Sequence, residues 1–419
     1  MNILCIHQNF PGQYRHLARA LLARGDRVVA LGGPTAQASE GIPLHRYDAR
    51  PAGGVPACHP WAADLQTKCF RAQAVAETVE RLLKSGAMPT PDLVLGHPGW
   101  GELLAIKDVL PEVPVLHYLE LVYLLEGGDV GFDPELGLGD WRDQSRLRLR
   151  RAPQFLALWD LDWAISPTHW QASTAPAVFG DRISVIHDGI PTESIRPQPG
   201  ARLQLQKAGL NFQAGDEVVT FVARQLEPYR GFHRFMRMVP LLQALRPKAH
   251  VILVGGDEVA YGQPPPGGGT WREALLRELG DRLDLGRIHF VGRIPHPLLH
   301  DLFRVSACHV YLTVPFVLSW SLLEAMACGA VVVGSATAPV QEVIESGVNG
   351  LLVDYFDAGA LAATIAAVLA DPQGHRPLGE AARATVVERY DLQRVCLPQQ
   401  LKLVDAVANR KPQGALNPS

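Results

Sequence analysis

Short β-branched and aliphatic runs alternate with longer stretches of helical apolar spacing through most of the chain. That rhythm predicts parallel sheets with helices on both faces, an α/β fold. In the first half the strand-like runs are residues 2–6, 27–31, 93–95, 113–117, 163–165 and 184–186. A fresh series follows at 218–223, 251–254, 288–291, 310–312, 331–334 and 351–353. Between the two series, HDGIPTESIRPQPGAR (187–202) is rich in Pro and Gly and has no sustained apolar period, so the linker is placed there. The pattern predicts two doubly wound, Rossmann-like domains, 1–193 and 194–390, facing each other across a cleft. The last residues, 411–419, are expected to form a disordered tail.

Composition narrows the class. A chain of 419 residues with 47% apolar and 19% charged residues fills two cores. A formal charge of -3 argues against a nucleic-acid partner. Six cysteines without a CxxC pair do not make a disulfide scaffold and suit a reducing compartment. The start MNILCIHQNF lacks the features of a secretory signal and reads as a strand. No run of about 20 apolar residues spans a bilayer, so a cytoplasmic location is expected. Arg142, Arg146 and Arg150, with Arg148 and Arg151, form a basic helical stripe. A solvated, salt-bridged face is one reading of it, and peripheral contact at the inner face of a membrane is the other.

Ligands of doubly wound sheets bind beyond the carboxyl ends of the strands, so residues there are the candidates for chemistry. In YLTVPFVLSWSLLEAMACGA (311–330) a loop feeds a helix starting near Ser319, Ser321 and Leu322, and its unpaired amides and positive dipole end suit a phosphate. Glu324 lies one turn further in, placed to accept two ribose hydroxyls, and Gly329 closes the helix. A solvated Glu324 and a plain Ser321 cap are the alternatives. Arg224 leaves the strand 218–223 and Arg230 precedes Gly231 at a turn into a helix. Two cations at one strand end suit a diphosphate, with a surface ion-pair role as the alternative. Gly292 and Arg293 follow the strand 288–291, where Arg293 reaches toward a phosphate or simply sits in a βα turn.

In the first half, HQNFPGQ (7–13) joins the first strand to a helix and holds one glycine, Gly12, without a second beside it. His97 follows the strand 93–95 and points into the cleft. Neither it nor the other strand-end histidines, His7, His117 and His187, has the HxxxH or HExxH spacing of zinc ligands, so no metal site is expected. Glu120, Asp129 and Asp133 follow another strand, as acceptor contacts or as a solvated loop.

The block Glu324-Ala325-Met326-Ala327-Cys328-Gly329, with Gly347-Val348-Asn349-Gly350, resembles the donor-binding signature of retaining family 4 glycosyltransferases (group 1). The resemblance covers nearly the whole chain, is strongest over 221–354, and implies the GT-B fold, with a last helix at 391–410 (392–408 by its apolar positions) that crosses back to the first domain. It implies transfer of a sugar from a nucleoside-diphosphate sugar to an acceptor hydroxyl (a glycan, a lipid-linked glycan or a small molecule), with retention and without a metal or other cofactor. Arg224, Arg230, Arg293, Gly12, Ser319, Ser321, Leu322 and Glu324 would bind the donor. Arg224, Arg230 and His97 would act on the reacting groups. One departure stands out: Phe316 occupies the position of the signature's first Glu, either as packing or as a changed sugar contact. Its presence keeps open a binding protein that senses a nucleotide sugar without turnover. An epimerase or a phosphorylase on the same scaffold is the other alternative. A dinucleotide oxidoreductase is disfavoured, since no GxGxxG follows either first strand.

Overall fold

The computed structural model describes residues 1–50, 54–137 and 140–410. The expected tail 411–419 lies outside the described residues, as do residues 51–53 in the Pro- and Gly-containing stretch RPAGGVPACHP (50–60). The chain forms two compact units. The first comprises Met1–Glu126, Gly137–Gly189 and the chain from Gln393; the second comprises Gly127–Leu136 and Ile190–Leu392.

The first unit is built on a seven-stranded sheet. Its strands are β1 (Asn2–Ile6), β2 (Arg27–Gly32), β3 (Leu44–Arg46), β4 (Leu93–Gly96), β5 (Val115–Tyr118), β6 (Trp163–Ser166) and β7 (Ile183–Val185). They lie in the order β3-β2-β1-β4-β5-β6-β7, and every pairing is parallel. Ile3, Leu4, Cys5 and Ile6 are all buried because helices cover both faces, which explains the unbroken apolar run of β1. The helix Leu397–Ala408 belongs to this unit. It packs through Val404 and Val407, Gln400 donates to the His187 carbonyl at 2.9 Å, and Asp405 pairs with Arg24 at 2.8 Å.

In the second unit β8 (Arg202–Leu205) and β9 (Leu210–Gln213) form an antiparallel hairpin. The six-stranded parallel sheet has β10 (Val218–Gln225), β11 (His250–Gly256), β12 (Ile288–Phe290), β13 (Cys308–Tyr311), β14 (Val332–Ser335) and β15 (Leu351–Val353), ordered β12-β11-β10-β13-β14-β15. One cluster joins Leu203, Leu205 and Phe212 of the hairpin to the sheet and to Leu322, Ala325 and Met326 of the helix Trp320–Ala327. The hairpin and β3 carry no long apolar run, which is why the periodicity passed over them.

Strand order reverses between β1 and β4 in the first sheet and between β10 and β13 in the second. Neighbouring loops diverge at such a point and leave a crevice at the carboxyl ends. His7 and His97 follow β1 and β4; Arg224 and the 312–319 loop end β10 and follow β13.

Candidate functional site

The second unit gathers most of the expected donor residues at its switch point. Arg224, at the end of β10, is exposed. Arg230 closes the 3-10 turn Pro228–Arg230 and is buried. Its Nη1 donates to the Val317 carbonyl at 2.8 Å, to the Tyr311 hydroxyl at 3.2 Å and to Thr313 Oγ1 at 3.3 Å. Its guanidinium also lies over the rings of Phe316 (5.3 Å) and Tyr261 (6.0 Å). Among the described residues neither Arg224 nor Arg230 has a salt-bridge partner. The three acceptors bonded to Arg230 are neutral, so among the described residues no carboxylate pairs with it and its charge remains available to an anion.

The turn that carries Arg230 depends on Gly231. Its φ is +69°, and a Cβ there would stand 2.4 Å from Leu312 Cβ. Any side chain would push this turn off the end of β13.

Phe316 is 5% exposed and packs edge-on against Tyr229 at 5.4 Å and Tyr261 at 4.9 Å. No carboxylate replaces it at that position. Ser319 caps the helix Trp320–Ala327: its Oγ accepts from the Ser321 amide at 3.4 Å and lies 2.8 Å from Ser321 Oγ, while its own amide donates to the Tyr311 hydroxyl at 2.9 Å. The Leu322 amide closes the first turn on Ser319 O at 3.2 Å. Glu324 is buried on this helix at 8% exposure. Gly329, at φ +77°, ends it, with the Ala330 amide reaching back to the Ala325 carbonyl at 3.1 Å. Arg293 is exposed and pairs with Glu258 at 2.9 Å, so a phosphate would have to compete with that carboxylate.

A residue that motif reading passed over holds this region in shape. Glu227 is 1% exposed, and its carboxylate accepts from the amides of Ala260, Tyr261 and Gly262 at 3.0–3.3 Å. It therefore anchors the stretch YGQPPPGGG (261–269) and sets Tyr261 over Arg230 and Phe316. Its partners lie 33–35 residues downstream, so no local pattern announces it.

The switch point of the first unit holds a polar chain. The Asn9 amide donates to His7 Nδ1 at 3.1 Å, which leaves the proton on Nε2; that N–H donates to Gln13 Oε1 at 2.5 Å. Gln13 Nε2 in turn approaches Glu120 Oε1 at 3.4 Å. The Gly99 amide donates to His97 Nδ1 at 3.0 Å, so His97 Nε2–H faces Glu120 Oε2 at 3.4 Å. The His97 ring is stacked on Trp100 at 4.1 Å. Burial, reinforced by His97, lowers the His7 pKa to about 4 and keeps the ring neutral. Burial acts to raise the Glu120 carboxyl, but His97, His7 and Gln13 outweigh it and hold it below its ordinary value. Glu120 is thus an anion held in a frame of donors. Gly12, at φ +46°, makes the frame possible, because a Cβ would lie 2.2 Å from the His7 ring.

The other acidic residues of that stretch part company with Glu120. Asp129 and Asp133 are buried and belong to the second unit, not to a solvated loop. Asp133 receives His233 Nε2 at 2.8 Å and Arg234 Nη2 at 2.6 Å, and these partners hold its carboxyl far below the ordinary range against the effect of burial. Of the basic stripe, Arg142 pairs with Asp140, Arg146 pairs with Asp143 at 2.6 Å, and Arg150 lies over Tyr123. No helix among the described residues is long and apolar enough to cross a membrane.

The sequence matches the family model for the glycosyl transferase family 4 group over residues 24–195 and that for glycosyl transferases group 1 over residues 204–385. The chain belongs to this glycosyltransferase family. Among curated glycosyltransferases it is 28% identical to D-inositol 3-phosphate glycosyltransferase of Thermobispora bispora over 193 residues, 46% of this chain and 43% of that one. It is 26% identical to the GDP-mannose-dependent alpha-(1-6)-phosphatidylinositol monomannoside mannosyltransferase of Mycolicibacterium smegmatis over 242 residues, 55% of this chain and 59% of that one. The chain therefore spans about half the length of the curated relatives it matches. Among solved structures, HepE of Anabaena in complex with UDP and glucose is 18% identical with a TM-score of 0.67, over 97% of this chain and 100% of that one. Sucrose-phosphate synthase from Thermosynechococcus elongatus is 20% identical with a TM-score of 0.70, over 98% and 100%. These likenesses establish the GT-B fold that the signature implied.

Proposed function

We propose that this chain transfers a sugar from a nucleoside-diphosphate sugar to an acceptor hydroxyl, with retention of anomeric configuration and without a required metal or other cofactor. The observation that carries the reading is the pair Arg224 and Arg230, two cations without an acid partner among the described residues, at the switch point beside the capped helix of Glu324. The pair neutralises the diphosphate as the sugar–oxygen bond breaks, the task a metal would otherwise serve. Ser319, Ser321 and the Leu322 backbone meet the phosphate at the helix start, and Glu324 accepts the ribose hydroxyls. Arg293 and Gly12 make outer donor contacts, and His97 touches the sugar's hydroxyls. The acceptor's proton passes to a phosphate oxygen of the leaving group on the same face, so no protein base is required.

UDP in the HepE structure and GDP-mannose in the name of the mycobacterial relative make uridine and guanosine donors the first to test. The acceptor is a glycan, a lipid-linked glycan or a small molecule, reached in the cytoplasm or at the inner face of a membrane. Incubation with a panel of these donors in EDTA, with NMR of the product's anomeric centre, tests the proposal. A product of inverted configuration, or activity that needs an added divalent ion, overturns the corresponding part. Phe316, buried against Tyr229 and Tyr261 where the signature has its first Glu, favours one second reading, a nucleotide-sugar sensor. Tight donor binding without transfer or hydrolysis would select it.

A further inference from the structure

The helix His296–Val305 carries His296 and His300 one turn apart on the same face, an HxxxH pair outside the strand ends. Ligand atoms of His296, His300 and Glu324 all lie within 4.8 Å of one another. A tetrahedral zinc with bonds of about 2.1 Å sets its ligands roughly 3.4 Å apart, within reach of small side-chain rotations. His296 is exposed and can adjust, whereas Glu324 is buried and fixed on its helix. His300 Nε2 is closed to solvent and has no hydrogen-bond partner, an unmet polar atom that a ligand would satisfy. Nearby Arg304 is paired with Asp301 at 2.8 Å, so its charge is compensated.

A second trio, Asp133, Glu135 and His233, has similar spacing but is already engaged. Arg234 and Arg237 hold its carboxylates at 2.6 Å and 2.5 Å, leaving no place for a cation.

We propose that His296, His300 and Glu324 bind one zinc-class divalent cation, and that this cation competes with the nucleotide for Glu324. Two imidazoles and one carboxylate suit zinc and leave a fourth position open to water, whereas magnesium prefers an all-oxygen shell. The competition rests on the assignment of Glu324 to the ribose; the metal site does not. The cation acts as an inhibitor, consistent with a transfer reaction that needs no metal.

The test is calorimetric titration of the EDTA-stripped full chain with zinc chloride alone, repeated with magnesium chloride and with UDP or GDP present. One equivalent of zinc should bind and magnesium should not. The exposed substitution His296→Ala should weaken zinc about tenfold or more, and His296→Ala with His300→Gln should abolish it. Cobalt supplies a second readout: tetrahedral d–d absorption in the parent, lost in the double variant. Absence of zinc binding, or unchanged binding in a folded double variant, overturns the site. If zinc binding is lost in the variant yet zinc and nucleoside diphosphate bind together without weakening each other, the metal site stands and the competition falls. Failure of the metal-free chain to bind any nucleoside diphosphate would instead overturn the donor reading.

Discussion

Arg224→Ala separates phosphate recognition from folding more cleanly than any other change at the donor site. The side chain is exposed at the end of β10 and has no ion-pair partner among the described residues, so its removal should alter stability by no more than about 0.5 kcal/mol. A charge-assisted hydrogen bond to phosphate contributes about 1.5–3 kcal/mol, and solvent screening at an exposed position favours the lower end. The expected loss of affinity is therefore about tenfold, rising toward a hundredfold if both phosphates are engaged. Isothermal titration at about 0.15 M salt should show that loss for the nucleoside diphosphate the parent binds, and none for the free nucleoside. Arg224→Lys should fall between, because it keeps the charge and loses the planar fork. Arg230 is a poorer first probe, since its removal also strips the Val317 carbonyl, Tyr311 and Thr313 of their shared donor. Unchanged diphosphate affinity in a folded Arg224→Ala protein, or an equal loss for the nucleoside, refutes the phosphate assignment.

Three further outcomes follow from the packing. Glu102 is fully buried against the Tyr47 hydroxyl at 2.6 Å, and burial raises its carboxyl to about 7. The folded protein thus holds this proton more tightly than the unfolded chain, and its stability falls between roughly pH 4.5 and 7, by about 3 kcal/mol in all. Glu102→Gln should match the parent's pH response below that window and exceed it in urea stability at pH 8; a pH-independent difference would contradict the burial argument. Asp133→Ala strands His233 and Arg234 and should cost the second unit about 3 kcal/mol, read as a lowered denaturation midpoint. Gly12→Ala forces a side chain onto the His7 ring at a positive φ and should destabilise by about 1–3 kcal/mol. An unshifted His7 NMR signal in that variant would contradict the close approach.

The sequence by itself determined the α/β class and the two series of parallel strands. Uninterrupted apolar runs such as those of β1 and β11 occur where both faces of a sheet are covered. It also determined the capped helix at Ser319, with Gly329 at its end, because capping depends on residues within one turn. Gly231 was legible as a turn for the same local reason. Only the tertiary structure decided which strand ends lie side by side, and so brought His7 to His97 and Arg224 to the loop after β13. It also separated Glu120 from Asp133, which bonds His233 across 100 residues of chain. Glu227 took its partners from a remote loop, and His300 met Glu324 from a neighbouring helix. Local pattern reports propensity and exposure along a few turns, whereas these sites arise from contacts between distant segments, which no short stretch of chain encodes.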